Sequence, residues 1–186
     1  EGAFALPMGG EHNVRNALAA LAAAAEAGVE PGALREALSA FRGVKRRLEI
    51  RGERGGVTVY DDFAHHPTAV AATLAALRAL GGSGRLVAVF EPRSYTAKTR
   101  AFQEGFARAF AGADRVIVSA AHLPGKVPEE KRLSEEELVA GIVRLGTKAS
   151  FIPTVDAIVE ALVAEVRPGD RVAILSNGGF GGIHDK

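Results

Sequence analysis

The chain has 186 residues, 47% hydrophobic and 24% charged, which suits one large domain or a domain plus part of another and excludes the disordered class. Its net charge of +1 is uninformative about polyanionic partners, but the basic stretch FRGVKRRLEIRGER lacks interleaved aromatic residues, so we expect no nucleic-acid binding. The absence of cysteine excludes disulfides, thiolate catalysis and cysteine-ligated zinc and fits a cytoplasmic location, and no apolar run reaches membrane-spanning length.

Two short helices are predicted in the first 43 residues. The stretch HNVRNALAALAAAAEA is rich in strong helix formers, and Gly28 is a plausible C-cap. Pro31 can occupy the first turn of a second helix, which Gly43 is predicted to end. The chain starts at Glu1 without an initiator Met, so we expect a piece of a longer protein. The sequence pattern changes from helical to strand-like near Arg46, where we place a domain boundary.

Strands and helices alternate from residue 47 onward. Two strands flank a Gly-rich turn at 47–60, and Ser134 is predicted to begin a helix in a capping box with Glu137. The other predicted elements are helices at about 67–80 and 97–111, strands at 85–91, 115–120 and 170–176, the short strand ASFIP and the helix VDAIVEALVAEV. Continuous apolar strands between helices predict an α/β fold, a Rossmann-like three-layer domain with a mostly parallel sheet.

Four loops with unusual chemistry follow the predicted strands: YDDFAHHP, EPRSYTAKTR, SAAHLPGK and SNGGFGGIH. Because ligands of such sheets bind at the carboxyl ends of the strands, we expect a site at this edge. In the first loop, strand alternation sends Asp61 and Asp62 to opposite sides, and Pro67 opens a helix. His65 and His66 cannot both face one ion. A capped helix entry and a dinuclear metal hydrolase that uses these four side chains both remain open.

The other loops carry weaker signals. Arg93, directly after a strand, is the favoured ligand for an anion. Lys98 and Arg100 can equally be solvated helix residues, and for Arg100 we favour the solvated position. SNGGFGGIH is neither GxGxxG nor a P-loop, so its glycines indicate close backbone approach or a flexible terminus. His12 and Asn16, four residues apart on the first helix, form a polar pair in which Asn suits an adenine edge.

The segments GEHNVRNALAALAAA, FRGVKRRLE, YDDFAHHPTAV and AVFEPRS, in this order, resemble the last part of the Mur ligases, ATP-dependent enzymes that build the peptide stem of bacterial peptidoglycan. The resemblance covers nearly the whole chain. It implies that residues 1–45 are the C-terminal helices of an incomplete central ATP-binding domain and that 46–186 form the family's C-terminal domain. DDFAHHPT resembles the branch that uses UDP-N-acetylmuramate. EPRS and SNGGFGGIH resemble the members that add L-alanyl-γ-D-glutamyl-meso-diaminopimelate, with L-alanine as the alternative acceptor.

The resemblance also implies roles for single residues. His12 and Asn16 would hold adenine, Arg47 would reach the nucleotide, and Asp62 would contact its ribose or phosphates and serve catalysis. His65 would face the reacting centre, where an amine attacks an acyl phosphate. The remaining implied substrate-binding residues are Phe63, Arg93, Ser94, Asn177, Gly178 and Gly179. The phosphate loop and the Mg²⁺ ligands of the family would lie upstream of Glu1, so no metal ligand is assigned and we expect the isolated chain to be inactive.

A standalone module that binds a nucleotide or a peptide without chemistry is the alternative class of function. It predicts a start codon at Glu1, whereas the ligase predicts a phosphate loop upstream.

Overall fold

The computed structural model describes residues 3–123, 125 and 127–186. Helix α1 spans Glu11–Glu26 and α2 spans Pro31–Ala40, close to the predicted bounds, although α2 ends three residues before Gly43. Between them the backbone of Gly28 has a φ of 84°, which an L side chain rarely adopts. Neither helix contains a buried residue. The helical pair therefore has no core of its own, and its apolar side chains line a groove instead.

A six-stranded sheet forms the centre of the remaining chain. Its strands are β1 (Glu49–Arg54), β2 (Val57–Asp62), β3 (Leu86–Phe90), β4 (Arg115–Val118), β5 (Lys148–Phe151) and β6 (Arg171–Leu175). The order across the sheet is β1-β2-β6-β3-β4-β5. Only the β1–β2 hairpin is antiparallel, and the other four neighbouring pairs are parallel. The predicted mostly parallel sheet is confirmed.

Helices cover both faces of the sheet. Helices α3 (Pro67–Ala79), α4 (Gln103–Ala109) and α5 (Glu135–Arg144) pack on one face, and α6 (Val155–Glu165) packs on the other with the 3₁₀ segment Phe180–Asp185. Successive strand residues point to opposite faces. In β3, Phe90 belongs to the first core and Val89 to the second. The predicted α/β three-layer architecture is confirmed. Within the described ranges, none of the helices has the length and apolarity needed to cross a membrane.

The helix predicted at 97–111 is wrong as one continuous element. Two 3₁₀ turns precede α4 and a third follows it. The first two are separated because Thr99 adopts an extended conformation and forms a bridge with Arg132. The predicted capping box at α5 is half right. Ser134 Oγ accepts a hydrogen bond from the Glu137 N–H at 3.2 Å, but the Ser134 N–H donates to Gln103 rather than to the Glu137 carboxylate.

Candidate active site at the carboxyl edge of the sheet

Three neighbouring strands end together at the predicted edge. Leu175 at the end of β6 pairs with both Asp62 of β2 and Phe90 of β3. The loops that follow these strands therefore start at the same level of the sheet. They carry most of the residues predicted for the reacting and substrate-binding parts of the site.

Asp62 is buried and held by three donors. Its Oδ1 accepts hydrogen bonds from the Ala64 N–H at 2.9 Å and from Thr73 Oγ1 at 3.0 Å, and its Oδ2 accepts one from the Leu48 N–H at 2.8 Å. The side chain thus joins the junction segment, the end of β2 and helix α3. In this arrangement the Asp62 carboxylate holds the start of the loop in place through its hydrogen bonds. Its contact with a nucleotide remains a prediction.

Asp61 points to the other side of the sheet, as strand alternation predicts. Its Oδ2 accepts a hydrogen bond from Arg46 Nε at 3.1 Å and lies 3.4 Å from His184 Nε2. Burial lowers the pKa of His184 and outweighs the opposing attraction of Asp61. The ring is therefore neutral near pH 7.

Sequence reasoning missed both Arg46 and His184. In the sequence Arg46 stands out only as one residue of the basic stretch FRGVKRRLEIRGER, and His184 only as the end of the glycine-rich segment SNGGFGGIH. The available signal was the position of Arg46 at the domain boundary, where the chain must pass the end of β2.

His65 lies beside Phe63 at the mouth of the first loop. His65 Nδ1 is 2.8 Å from the Phe63 carbonyl oxygen, and the two rings are nearly perpendicular with centroids 5.1 Å apart. A carbonyl oxygen can only accept, so Nδ1 carries the hydrogen and Nε2 holds the lone pair in the neutral ring. The Phe63 ring in turn lies 5.4 Å from the Arg46 guanidinium carbon and 5.7 Å from that of Arg47. The contact with the Phe63 carbonyl thus holds the His65 ring in one orientation and leaves Nε2 without the hydrogen in this tautomer.

His66 performs a different task from its neighbour. It is exposed and serves as the N-cap of α3, where its Nδ1 accepts a hydrogen bond from the Thr68 N–H at 3.4 Å. Asp61, Asp62, His65 and His66 thus each turn to a separate partner. In the part of the chain that the structure describes, no three His, Asp or Glu side chains come together as a metal-binding group. The hydrolase hypothesis has no site in that part of the chain.

Arg93 lies flat against the main chain of Gly178. A Cβ atom built on Gly178 would fall 1.9 Å from Arg93 Nε, so only glycine leaves room for this contact. Beneath it, buried Glu91 lies 3.5 Å from Arg93 Nη1 and accepts a hydrogen bond from Ser176 Oγ at 2.5 Å. The Arg93 side chain keeps 29% of its surface exposed. The arrangement presents a pre-oriented guanidinium to an anion arriving from solvent.

The other predicted substrate-binding residues differ in their surroundings. Ser94 Oγ accepts a hydrogen bond from the Ala97 N–H at 3.0 Å and so caps a 3₁₀ turn. Asn177 Oδ1 is buried and has no hydrogen-bond partner among the described residues. Gly179 is exposed and has open space around it.

Lys98, for which the sequence left a solvated position open, is not a solvated residue. It is buried, and its Nζ donates to the carbonyl oxygens of His122 at 3.1 Å and Leu123 at 3.2 Å, which ties the loop after β3 to the loop after β4. Arg100 is exposed as expected and pairs with Glu137 at 2.7 Å.

Besides Asp62, the predicted nucleotide residues are His12, Asn16 and Arg47. Arg47 adjoins this cluster through the Phe63 ring, whereas His12 and Asn16 line other surfaces. His12 lines a cleft of about 440 Å³ against α3, whereas Asn16 lines the apolar groove between α1 and α2, so the structure does not bring the pair into one pocket. Arg47 lines a third cleft, of about 660 Å³, at the junction between the helical pair and the sheet domain. Arg42, Lys45 and Glu49 line the same cleft, so its basic side chains outnumber its acidic one.

Comparison with known proteins identifies relatives of the whole chain. The family model described as "Mur ligase, glutamate ligase domain" matches residues 46–178. The UDP-N-acetylmuramate–L-alanyl-γ-D-glutamyl-meso-2,6-diaminoheptandioate ligase of Escherichia coli is 45% identical over 179 residues, covering 95% of this chain and 37% of the relative. The UDP-N-acetylmuramate–L-alanine ligase of Phenylobacterium zucineum is also 45% identical, over 174 residues, covering 93% of this chain and 36% of the relative.

A solved structure extends the comparison to the fold. The murein peptide ligase of Psychrobacter arcticus superposes with a TM-score of 0.74 at 35% identity, covering 98% of this chain and 37% of that one. The chain therefore spans little more than a third of the length of the relatives it matches.

Proposed function

The chain belongs to the Mur ligase family, and we propose that it is the C-terminal part of an ATP-dependent enzyme that joins UDP-N-acetylmuramate to L-alanyl-γ-D-glutamyl-meso-diaminopimelate. In this proposal residues 1–45 complete the central ATP-binding domain and residues 46–186 form the C-terminal domain. Helices α1 and α2 contain no buried residue. Their apolar groove would therefore pack against the rest of the ATP-binding domain. Alone, the chain is expected to form no amide bond.

The observation that carries the proposal is the Arg93 guanidinium held on Gly178 above buried Glu91. A planar guanidinium in a fixed orientation suits bidentate binding of a carboxylate. The tripeptide acceptor presents several carboxylates, and one of them would meet Arg93. Asn177 and Gly178, next to this guanidinium, would line the same acceptor site, together with Gly179 and Ser94.

His65 is proposed to act on the attacking amine. When the amine forms the new C–N bond, the C–O bond to phosphate breaks, phosphate leaves with the electron pair, and the amine must lose a proton. Nε2 of His65 is the group in this loop that would accept that proton, because Nδ1 is committed to the Phe63 carbonyl. Asp62 would act through position, since its carboxylate holds the backbone N–H groups of Leu48 and Ala64.

The basic junction cleft is proposed to face the nucleotide. In this family ATP, with Mg²⁺, supplies the activation of the muramate carboxylate as an acyl phosphate. The side chains of Arg42, Lys45 and Arg47 line the cleft and suit phosphate groups, and Arg47 would contact them. His12 and Asn16, one helical turn apart on α1, are proposed to contact adenine from the adjacent cleft and groove.

The test is an ATP-dependent ligation assay with a full-length protein that contains this chain. His65→Ala should lower kcat by about 100-fold or more, the usual contribution of a positioned general base. His66→Asn is the matched control, because asparagine preserves the N-cap of α3 and the side chain is exposed. Absence of any ATP-dependent product with the wild type would refute the proposal. Equal rates for both variants would refute the role of His65.

L-alanine is the second candidate acceptor, because the alanine ligase of Phenylobacterium zucineum matches this chain at the same 45% identity. Supplying both acceptors at equal concentration separates the two functions. The tripeptide product should dominate if Arg93 binds a carboxylate that lies beyond the first residue of the acceptor. Formation of the L-alanine product alone would establish the second function instead.

A further inference from the structure

Arg46 has an unusual backbone at the junction between the helical pair and the sheet domain. Its φ is 60° and that of Leu48 is 51°, so two non-glycine residues in this short segment occupy the left-handed region. Both main-chain polar groups of Arg46 are held. Its N–H donates to Glu49 Oε2 at 2.8 Å, and its carbonyl oxygen accepts from the Phe63 N–H at 2.8 Å. These bonds give the side chain one defined direction.

The Arg46 side chain reaches the loop at residues 176–179, more than a hundred residues away in sequence. Its Nη2 donates to the Ser176 carbonyl oxygen at 2.6 Å and to the Gly178 carbonyl oxygen at 2.8 Å. These two carbonyls flank Asn177, so one guanidinium group is hydrogen-bonded to the backbone on both sides of that residue. Arg93 packs on Gly178 as well. The 176–179 loop is therefore fixed by one arginine from the junction and another from the loop after β3.

Asp61 orients this guanidinium. Its carboxylate, with 3% of its surface exposed, accepts the bond from Arg46 Nε, which leaves Nη2 aimed at the 176–179 loop. His184 Nε2 lies 3.4 Å from the same carboxylate oxygen, Oδ2. The Asp61–Arg46 pair thus links the junction and the end of β2 to the loop after β6.

We propose that Arg46 is a positioning residue for the acceptor, because it holds the 176–179 loop in the conformation that presents Asn177 and supports Arg93. The inference rests on the proposed function, in which this loop lines the acceptor site. According to this inference Arg46, which is not one of the reacting groups, controls the affinity for the acceptor. Asp61 contributes to the same task by orienting Arg46.

The first test needs no activity and uses the 186-residue chain itself. Arg46→Lys keeps the positive charge beside Asp61, but a lysine ammonium cannot reproduce the planar fork that serves both carbonyls. Amide hydrogen exchange at Gly178, whose N–H donates to Ser176 Oγ at 3.0 Å, should become about tenfold faster in this variant. Arg54→Lys, an exposed arginine at the end of β1, is the control and should leave the exchange unchanged. Equal exchange rates in the two variants would overturn the proposal.

The second test separates positioning from general destabilisation in the full-length enzyme. Arg46→Lys should raise the KM for the tripeptide about tenfold, while the KM for ATP stays within about twofold. Asp61→Asn should act in the same direction, and the double variant should show less than the sum of the two effects because both act on one contact. An inactive wild type would refute the proposed function and leave the exchange result to decide this inference. An active wild type whose Arg46→Lys variant keeps its tripeptide KM, or loses affinity for both substrates equally, would overturn the inference alone.

Discussion

Replacement of Gly178 by alanine should displace Arg93 without unfolding the protein. A methyl group at this position would lie 1.9 Å from Arg93 Nε, 2.2 Å from Cδ and 2.3 Å from Cζ, far inside van der Waals contact. The backbone of Gly178 is not among the positive-φ glycines, so alanine adds no strain there. The flexible arginine side chain must therefore move, and its 3.5 Å pairing with Glu91 is lost.

The size of the effect follows from the proposed function, in which Arg93 binds a carboxylate of the acceptor. A charge-assisted hydrogen bond contributes about 1.5–3 kcal/mol, so its loss should raise the KM for the tripeptide by about 10- to 100-fold. Phosphate release in the full-length enzyme measures this KM, and the KM for ATP in the same assay serves as an internal reference. Circular dichroism melting should show a loss of at most about 2 kcal/mol, because Glu91 keeps its bond from Ser176.

Gly52→Ala is the control for the methyl group itself. Gly52 is exposed in β1, and nothing lies within 4 Å of a Cβ built there. This variant should keep the wild-type KM for both substrates. If Gly178→Ala also keeps the tripeptide KM, then Arg93 does not bind the acceptor from the position that the structure gives it, and the steric reasoning fails.

Three further predictions concern stability. Asp62→Ala should lower the free energy of unfolding in urea by about 3 kcal/mol because the Ala64 N–H, the Leu48 N–H and the Thr73 hydroxyl lose their buried acceptor, and a loss below about 1 kcal/mol would contradict the bonding described for Asp62. Burial opposes ionisation of Asp170, but its hydrogen bonds with Arg85 and backbone N–H groups lower its pKa, so its contribution exists above about pH 4 and fades as the pH falls through the folded pKa. Melting of wild type and Asp170→Asn between pH 7 and 3 should therefore converge at the acid end, and a constant difference would contradict this. Burial lowers the pKa of His184, so the unfolded chain takes up this proton first and stability should drop as the pH falls below about 6.5. His184→Asn should remove this part of the pH dependence, and an unchanged urea midpoint profile would contradict it.

Much of the fold was accessible from the sequence because its signals are local. Apolar runs identified the parallel strands, and Pro31, Pro67 and Ser134 identified helix starts that the structure confirms. The helix at 97–111 was wrong because a long-range bridge between Thr99 and Arg132 overrides local propensity. No sequence pattern near Thr99 predicts its pairing with Arg132, which is more than thirty positions away.

The location of the candidate site was predictable from the sequence, but the contacts of its individual residues were not. Strand ends indicated the edge and the loops that carry His65, Arg93 and Asn177. Sequence spacing could not show that Asp62 is enclosed by bonds from Leu48 and Thr73, or that Arg46 would turn through a left-handed backbone to reach the 176–179 loop. Both facts depend on how the junction segment passes the sheet, which no periodicity encodes.

The position of β6 has a consequence for how the protein is made. The last strand of the chain lies in the middle of the sheet, between the β1–β2 hairpin and the β3–β4–β5 group. During synthesis from the N-terminus these two groups emerge first, and neither can pair with the other until residues 171–175 leave the ribosome. Completion of the sheet and placement of the 176–179 loop are then one event, so a nascent chain can form the proposed acceptor site only after β6 has left the ribosome.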